Sequence, residues 1–118
     1  MIKRIPLLVA VSIFGASLQT NAGEPQRGKA SWYGCECSTT ASGERYSPTS
    51  MTAAHRTLPF GTMVRVTNLS SRRSAVVRIN NRGPFRKGRI IDVSKAAAQQ
   101  LAMMSAGVVP VSVEVIGQ

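Results

Sequence analysis

The side chains best suited to proton transfer are few: five carboxylates and one histidine in 118 residues. Glu24 lies in a polar stretch near the start, and Glu114 sits in an alternating run beside Ser112 that turns it to solvent. Glu36, Glu44 and Asp92 remain as candidates. Asp92 stands apart because it follows Ile90-Ile91 and precedes Val93, which places a carboxyl inside an apolar strand just ahead of a helix start. Such a setting disfavours charge and suits a general acid. A purely structural role is equally open to it: Asp92 could accept helix N-terminal amides together with Ser94. His55 carries the same ambiguity between a hydrogen-bonded scaffold residue and a functional one. From spacing alone, no function follows.

Other chemistries are poorly provided for. With a single His, and with Cys35 and Cys37 only two apart, no three or four ligands stand at zinc spacing, so neither metal nor cofactor is expected. In an oxidising compartment two cysteines favour a disulfide, but a bridge between i and i+2 closes a small, strained loop. Cys35-Glu36-Cys37 is therefore read as a local loop staple or an intermolecular contact, with a pair of exposed thiols as the alternative.

The elements that must position these residues are mostly strands. Met63 to Asn68 alternates apolar and polar, Ser74 to Ile79 is rich in β-branched residues, and Val109 to Ile116 alternates again. Between them, Pro59-Phe60-Gly61, Asn68-Leu69-Ser70-Ser71 and Arg82-Gly83-Pro84 carry the residues that turns demand. One helix is predicted, capped by Ser94, running from Lys95 to Met103 and stopped by Gly107. Several short strands and one helix predict a mainly β fold, a small barrel forming a single domain.

Composition narrows the setting. Fifteen Lys and Arg against five acids give a net charge of +10, with 43% hydrophobic residues, which excludes a disordered tail and suits one small basic domain. Lys3 and Arg4, the apolar run from Pro6 to Gly15, and Thr20-Asn21-Ala22 read as a secretory signal peptide over residues 1–22, cleaved near Ala22. Residues 23–29 follow as a polar leader and 30–118 as the folded domain. No cysteine directly follows the apolar run, so no lipid or membrane anchor is expected, and the product is read as periplasmic or secreted. For an exported basic chain the partners are anionic envelope polymers, and no aromatic pattern interleaves the arginines, which argues against nucleic acid.

Ordered motifs then carry a resemblance. Ala30-Ser31-Trp32-Tyr33-Gly34, Thr40-Ala41-Ser42-Gly43-Glu44, Thr52-Ala53-Ala54-His55, Leu58-Pro59-Phe60-Gly61-Thr62, Asn81-Arg82-Gly83-Pro84-Phe85 and Gly88-Arg89-Ile90-Ile91-Asp92-Val93-Ser94 resemble the rare lipoprotein A family. The likeness runs from about Lys29 to Ile116. It implies a six-stranded double-psi β-barrel, related in fold to expansins. It also implies work on peptidoglycan glycan strands as a lytic transglycosylase, a monomer needing no cofactor. Under that resemblance Asp92 is the acid, His55 and Glu44 support it, and Tyr33, Trp32, Asn81 and Arg82 line the substrate groove. Strand alternation leaves at least one of Trp32 and Tyr33 as a core-packing residue.

Two departures from the family pattern stand out. Asn81 replaces an aspartate in an Asn-Asp-Arg-Gly-Pro-Phe motif, and Ser47 replaces a second acid three residues after Glu44. Paired carboxylates disfavour each other's ionisation, so an amide at 81 favours ionised Asp92 and weakens it as an acid. Two functions from different classes follow. One is a transglycosylase that cleaves without water; the other is a catalytically weak or inactive, expansin-like glycan-binding module.

Overall fold

The computed structural model describes residues 24–34 and 39–118. Six strands, β1 (Gln26–Tyr33), β2 (Thr52–Ala54), β3 (Met63–Asn68), β4 (Ser74–Asn81), β5 (Arg89–Ser94) and β6 (Val109–Gly117), close a barrel in the order β1-β5-β2-β4-β3-β6. β1 and β5 run parallel, as do β2 and β4, and the other four pairings are antiparallel. Closure leaves no free sheet edge.

Alternation fills the interior. Val64, Val66, Ala75, Val77, Ile79, Ile91, Val93, Val111 and Val113 point inward and are buried, while their neighbours Arg65, Val76 and Pro110 face out. The inward β-branched side chains pack well on a pleated surface, and no charged group enters the core. The predicted strands at 63–68, 74–79 and 109–116 all form, the last two extended to Asn81 and Gly117.

Two expectations change. β1 begins at Gln26, so the barrel takes in residues 26–29 of the segment expected to be a polar leader. Backbone pairing with β6, from Gln26↔Val113 to Ala30↔Val109, makes this stretch a strand although its side chains lack apolar alternation. Gly28 is required there: a Cβ would come within 2.7 Å of Ile90. The helix, α1, covers Lys95–Gln100 rather than reaching Met103. It stops at Ala102, which takes a left-handed φ of 57°, well before Gly107. The predicted cap holds, since the Ser94 hydroxyl accepts from Ala97 N and donates to Ser50 O at 2.6 Å.

The register creates one lateral row that matters for function. Ser31 of β1 stands opposite Asp92 of β5, Asp92 opposite Ala54 of β2, and Ala54 opposite Asn81 of β4. Segments distant in sequence thus meet across four adjacent strands. Residues 1–22, for which a signal peptide is expected, and Cys35, Glu36 and Cys37 lie outside the described residues.

Candidate active site

Asp92 is half-buried in the middle of that row, between the fully buried Ile91 and Val93. Its Oδ1 accepts a hydrogen bond from the Ser31 hydroxyl across the β1–β5 pair. The helix cap is Ser94, so Asp92 is not spent on the amides of α1. This hydrogen bond fixes the carboxyl rotamer and leaves Asp92 without a cationic partner among the described ion pairs.

Tyr33 lies near this carboxyl, and Asn81, two strands away in the same row, reaches Tyr33 from the other side. Alternation puts Tyr33 on the same face of β1 as Ser31 and turns Trp32 the other way, where it packs against the core. The Tyr33 ring lies against Tyr46, centroids 4.7 Å apart, and Tyr46 Oη donates to Tyr33 O at 2.7 Å while accepting from Lys95 N. Tyr46 therefore ties the end of β1 to the start of α1. The Tyr33 hydroxyl is buried and meets no partner at hydrogen-bonding geometry among the described residues. Burial pushes the Tyr33 phenol up; the adjacent Asn81 side chain offsets this in part, and Tyr46, Asp92 and Glu44 add to it. Asn81 is anchored by its Oδ1, which accepts from Ala41 N at 2.8 Å and Arg82 N at 2.9 Å. Its amide nitrogen is thereby turned away from those backbone donors.

Glu44 has a different environment. Arg78 grips it in a two-pronged ion pair, at 2.9 Å to Oε1 and 2.8 Å to Oε2, and Asn80 Nδ2 adds a third donor at 3.2 Å. The Arg78 hydrogen bonds, then that from Asn80, pull its carboxyl down to about 2. Glu44 is a fixed anion that cannot serve as an acid near neutral pH. It anchors the 40–44 turn, closed by Gly43 N donating to Thr40 O, onto β4.

His55 and Arg82, expected to line a groove and touch substrate, are committed to the scaffold. His55 is only 5% exposed; its Nδ1 accepts from Thr57 N and Leu58 N, both at 3.2 Å, and Nε2 pairs with Gln26 Oε1 at 3.1 Å. Two amide donors at Nδ1 require the neutral ring with its proton on Nε2. Burial first, then the charges of Arg82 and Arg56, push the imidazole down. Arg82 donates to His55 O at 3.1 Å and Leu58 O at 2.8 Å and stacks 4.1 Å above the Phe60 ring. Both residues hold the 55–60 loop in place.

The structure thus gathers Asp92, Tyr33 and Asn81, places Glu44 near them as a fixed anion, and assigns Trp32, His55 and Arg82 mainly to support. Sequence reasoning missed Ser31, Tyr46 and Arg78. Ser31 was visible only as part of a motif, and the strand register that brings it to Asp92 is not encoded locally. Ser47 bonds Thr49 in an adjacent turn. Among the described residues no three of His, Cys, Asp and Glu come together as a metal site.

Comparisons with known proteins agree with this architecture. The family described as "Lytic transglycolase" matches residues 25–113. The chain is 62% identical over 79 residues to the probable endolytic peptidoglycan transglycosylase RlpA of Nostoc sp., covering 67% of this chain and 21% of that protein. It is 50% identical over 97 residues to the endolytic peptidoglycan transglycosylase RlpA of Campylobacter jejuni, covering 80% of this chain and 35% of the relative. The chain thus spans well under half the length of these curated relatives. Among solved structures, Streptomyces papain inhibitor superposes with a TM-score of 0.67 at 23% identity, covering 81% of this chain and 97% of that one. The expansin of Clavibacter michiganensis gives a TM-score of 0.64 at 20% identity, covering 79% of this chain and 50% of its own. These structural likenesses concern the fold alone, and that fold is the double-psi β-barrel.

Proposed function

The chain belongs to the rare lipoprotein A family of lytic transglycolases, and on that premise we propose that it cleaves peptidoglycan glycan strands without water, with Asp92 as acid and then base. Protonated Asp92 gives its proton to the glycosidic oxygen of the leaving sugar as the C1–O bond breaks. The 6-hydroxyl of the same muramic residue attacks C1, and its proton passes to the Asp92 carboxylate. A 1,6-anhydro ring and a free hydroxyl result, and the carboxyl returns to its starting state. One carboxyl group suffices because the two proton transfers are sequential.

The observation that carries this reading is the position of Asp92: half-buried in an apolar strand, oriented by Ser31, and released from the helix cap by Ser94. The Asn81 amide, beside the buried Tyr33 hydroxyl, can donate to a sugar oxygen. The relatives' names support peptidoglycan as the substrate. Export through the 1–22 segment, cleavage near Ala22, and action as a monomer in the periplasm or outside the cell belong to the same proposal. The described residues include no helix long and apolar enough to cross a membrane.

Product analysis tests it. Glycan strands incubated with the protein should yield anhydro-muropeptides, and Asp92→Ala should abolish them. Product from Asn81→Asp but none from the native chain would instead mark this chain as a glycan-binding module whose acid chemistry is switched off. N-terminal sequencing of the exported protein checks cleavage near Ala22.

A further inference from the structure

The loop between β4 and β5 is not used by the mechanism, yet it is rigidly presented. Arg56 Nε donates to Pro84 O at 2.8 Å, and its Nη2 reaches the carbonyls of Arg86 and Arg89. Lys29 N donates to Gly88 O at 3.0 Å, fixing the far end of the loop to β1. Held in this way, Phe85 stands 80% exposed at the tip. Around it lie the exposed Arg86, Lys87 and Lys29 and the half-buried Arg89. The ion pairs among the described residues use Arg65 and Arg78, so none of the described carboxylates is paired with this rim. An aromatic ring framed by cations on a braced loop is a recognition surface for a ligand with an apolar face and regularly placed negative charge.

Its position relative to Asp92 identifies the ligand. Arg89 lies three residues before Asp92 on β5, about 10 Å along the strand. Ile90 shares the face of Asp92 by alternation and lines a cavity of about 130 Å³ together with Gln26, His55, Arg56 and Thr57. The cavity thus opens beside Ile90, two residues before Asp92 on the same face of β5, and Arg89 is the next residue along the strand towards the loop.

We propose that Phe85, Arg86, Lys87 and Lys29 form a carboxylate-reading subsite for the glycan strand, flanking the cleavage point. Phe85 covers a sugar face, and the cations take carboxylates carried along the strand. This rests on the transglycosylase reading above. The carboxylate could be the lactyl group of a muramic residue or the end of a stem peptide, and the chemistry recognised is the same.

Binding in an Asp92→Ala background, where no strand is consumed, tests the subsite. The probes are strands stripped of stem peptides, strands retaining them, and each after capping its carboxylates as methylamides. Capping should weaken binding by about fivefold, with salt acting in the same direction, as expected for a few exposed ion pairs. Adding Arg86→Gln and Lys87→Gln, both exposed and therefore tolerable to the fold, should cut that dependence to the part that Lys29 retains. Phe85→Ala should weaken capped and uncapped strands alike. The probe pair that carries the dependence identifies which carboxylate is read. Equal binding of capped and uncapped strands, or full carboxylate dependence in the double variant, overturns the subsite alone. No binding to any strand overturns both the subsite and the glycan function beneath it.

Discussion

Asp92 and Glu44 are two carboxylates on one small barrel that solve opposite problems. Glu44 meets a guanidinium at 2.9 and 2.8 Å and an amide, and is held at about 2 as a permanent anion. Asp92 meets a single hydroxyl, sits between buried apolar neighbours, and has no cation on it among the described ion pairs. The acid in the proposed mechanism is therefore the one with the poorer set of partners. A carboxylate well satisfied by charge is useful for holding a turn and useless for giving a proton.

The sharpest way to break this contrast is Asp92→Ala. We expect formation of anhydro product to fall by about 10² to 10⁴-fold, the range for a lost general acid, with the melting temperature little changed. An equal loss from Glu44→Gln in product assays would show that the roles have been assigned wrongly.

His55→Ala comes next, as a loss of stability. It strips the acceptor from Thr57 N and Leu58 N and should cost about 2 kcal/mol in denaturant unfolding. The pH dependence follows from the ring being held neutral. Because its folded value is below the ordinary 6.5, the unfolded chain takes up the proton first as pH falls. The native protein should keep its full stability above about pH 6.5 and lose part of it below, and His55→Ala should lack that slope.

Ser31→Ala leaves the Asp92 carboxyl in place but frees its rotamer. A drop of about tenfold in kcat with KM unchanged is expected, in line with the loss of one orienting hydrogen bond. A change in KM alone would make Ser31 a binding residue.

Glu44→Gln is the mildest change. The ion pair is about 40% exposed on both sides, so solvent screening limits its contribution to about 0.5 kcal/mol. Its folded value lies below the ordinary 4.5, so that contribution is present above pH 4.5 and is lost as pH falls towards 2. Acid unfolding of the Gln variant should be flatter across that window. Asn81→Asp sharpens the contrast from the other side, by adding a negative charge beside Asp92. Anhydro product should form faster than with the native chain, and an unchanged rate would show that residue 81 does not act on the acid.

Much of this was legible before any coordinates. Alternation at 63–68 and 109–116 located strands that form with those limits or nearly so, and Ser94 announced its own cap. The motif around Asp92 placed the candidate acid on a strand just before a helix. β1 was legible only from Ala30, because Gln26 to Lys29 owe their strand geometry to β6, more than 80 residues away. The helix was read too long because Leu101, Ala102 and Met103 are good helix formers; the backbone turns at Ala102 regardless. The scaffold contacts of His55 and Arg82 were not legible for a related reason. A histidine or an arginine has the same side chain whether it meets a substrate or a neighbouring carbonyl, and only folded neighbours distinguish the two.

The sequence by itself determined the barrel's inward faces, its turns, its basic charge and the presence of one carboxyl in an apolar strand. These are local properties, set by residue type and by periods of two and 3.6. The tertiary structure decided which carboxyl remains available for a proton. That choice depends on Ser31 being opposite Asp92 and Arg78 being opposite Glu44, contacts spanning 61 and 34 residues. Charge and hydrogen bonding act through space, so the same acidic side chain becomes a structural anion or a candidate proton donor according to the strand register that surrounds it.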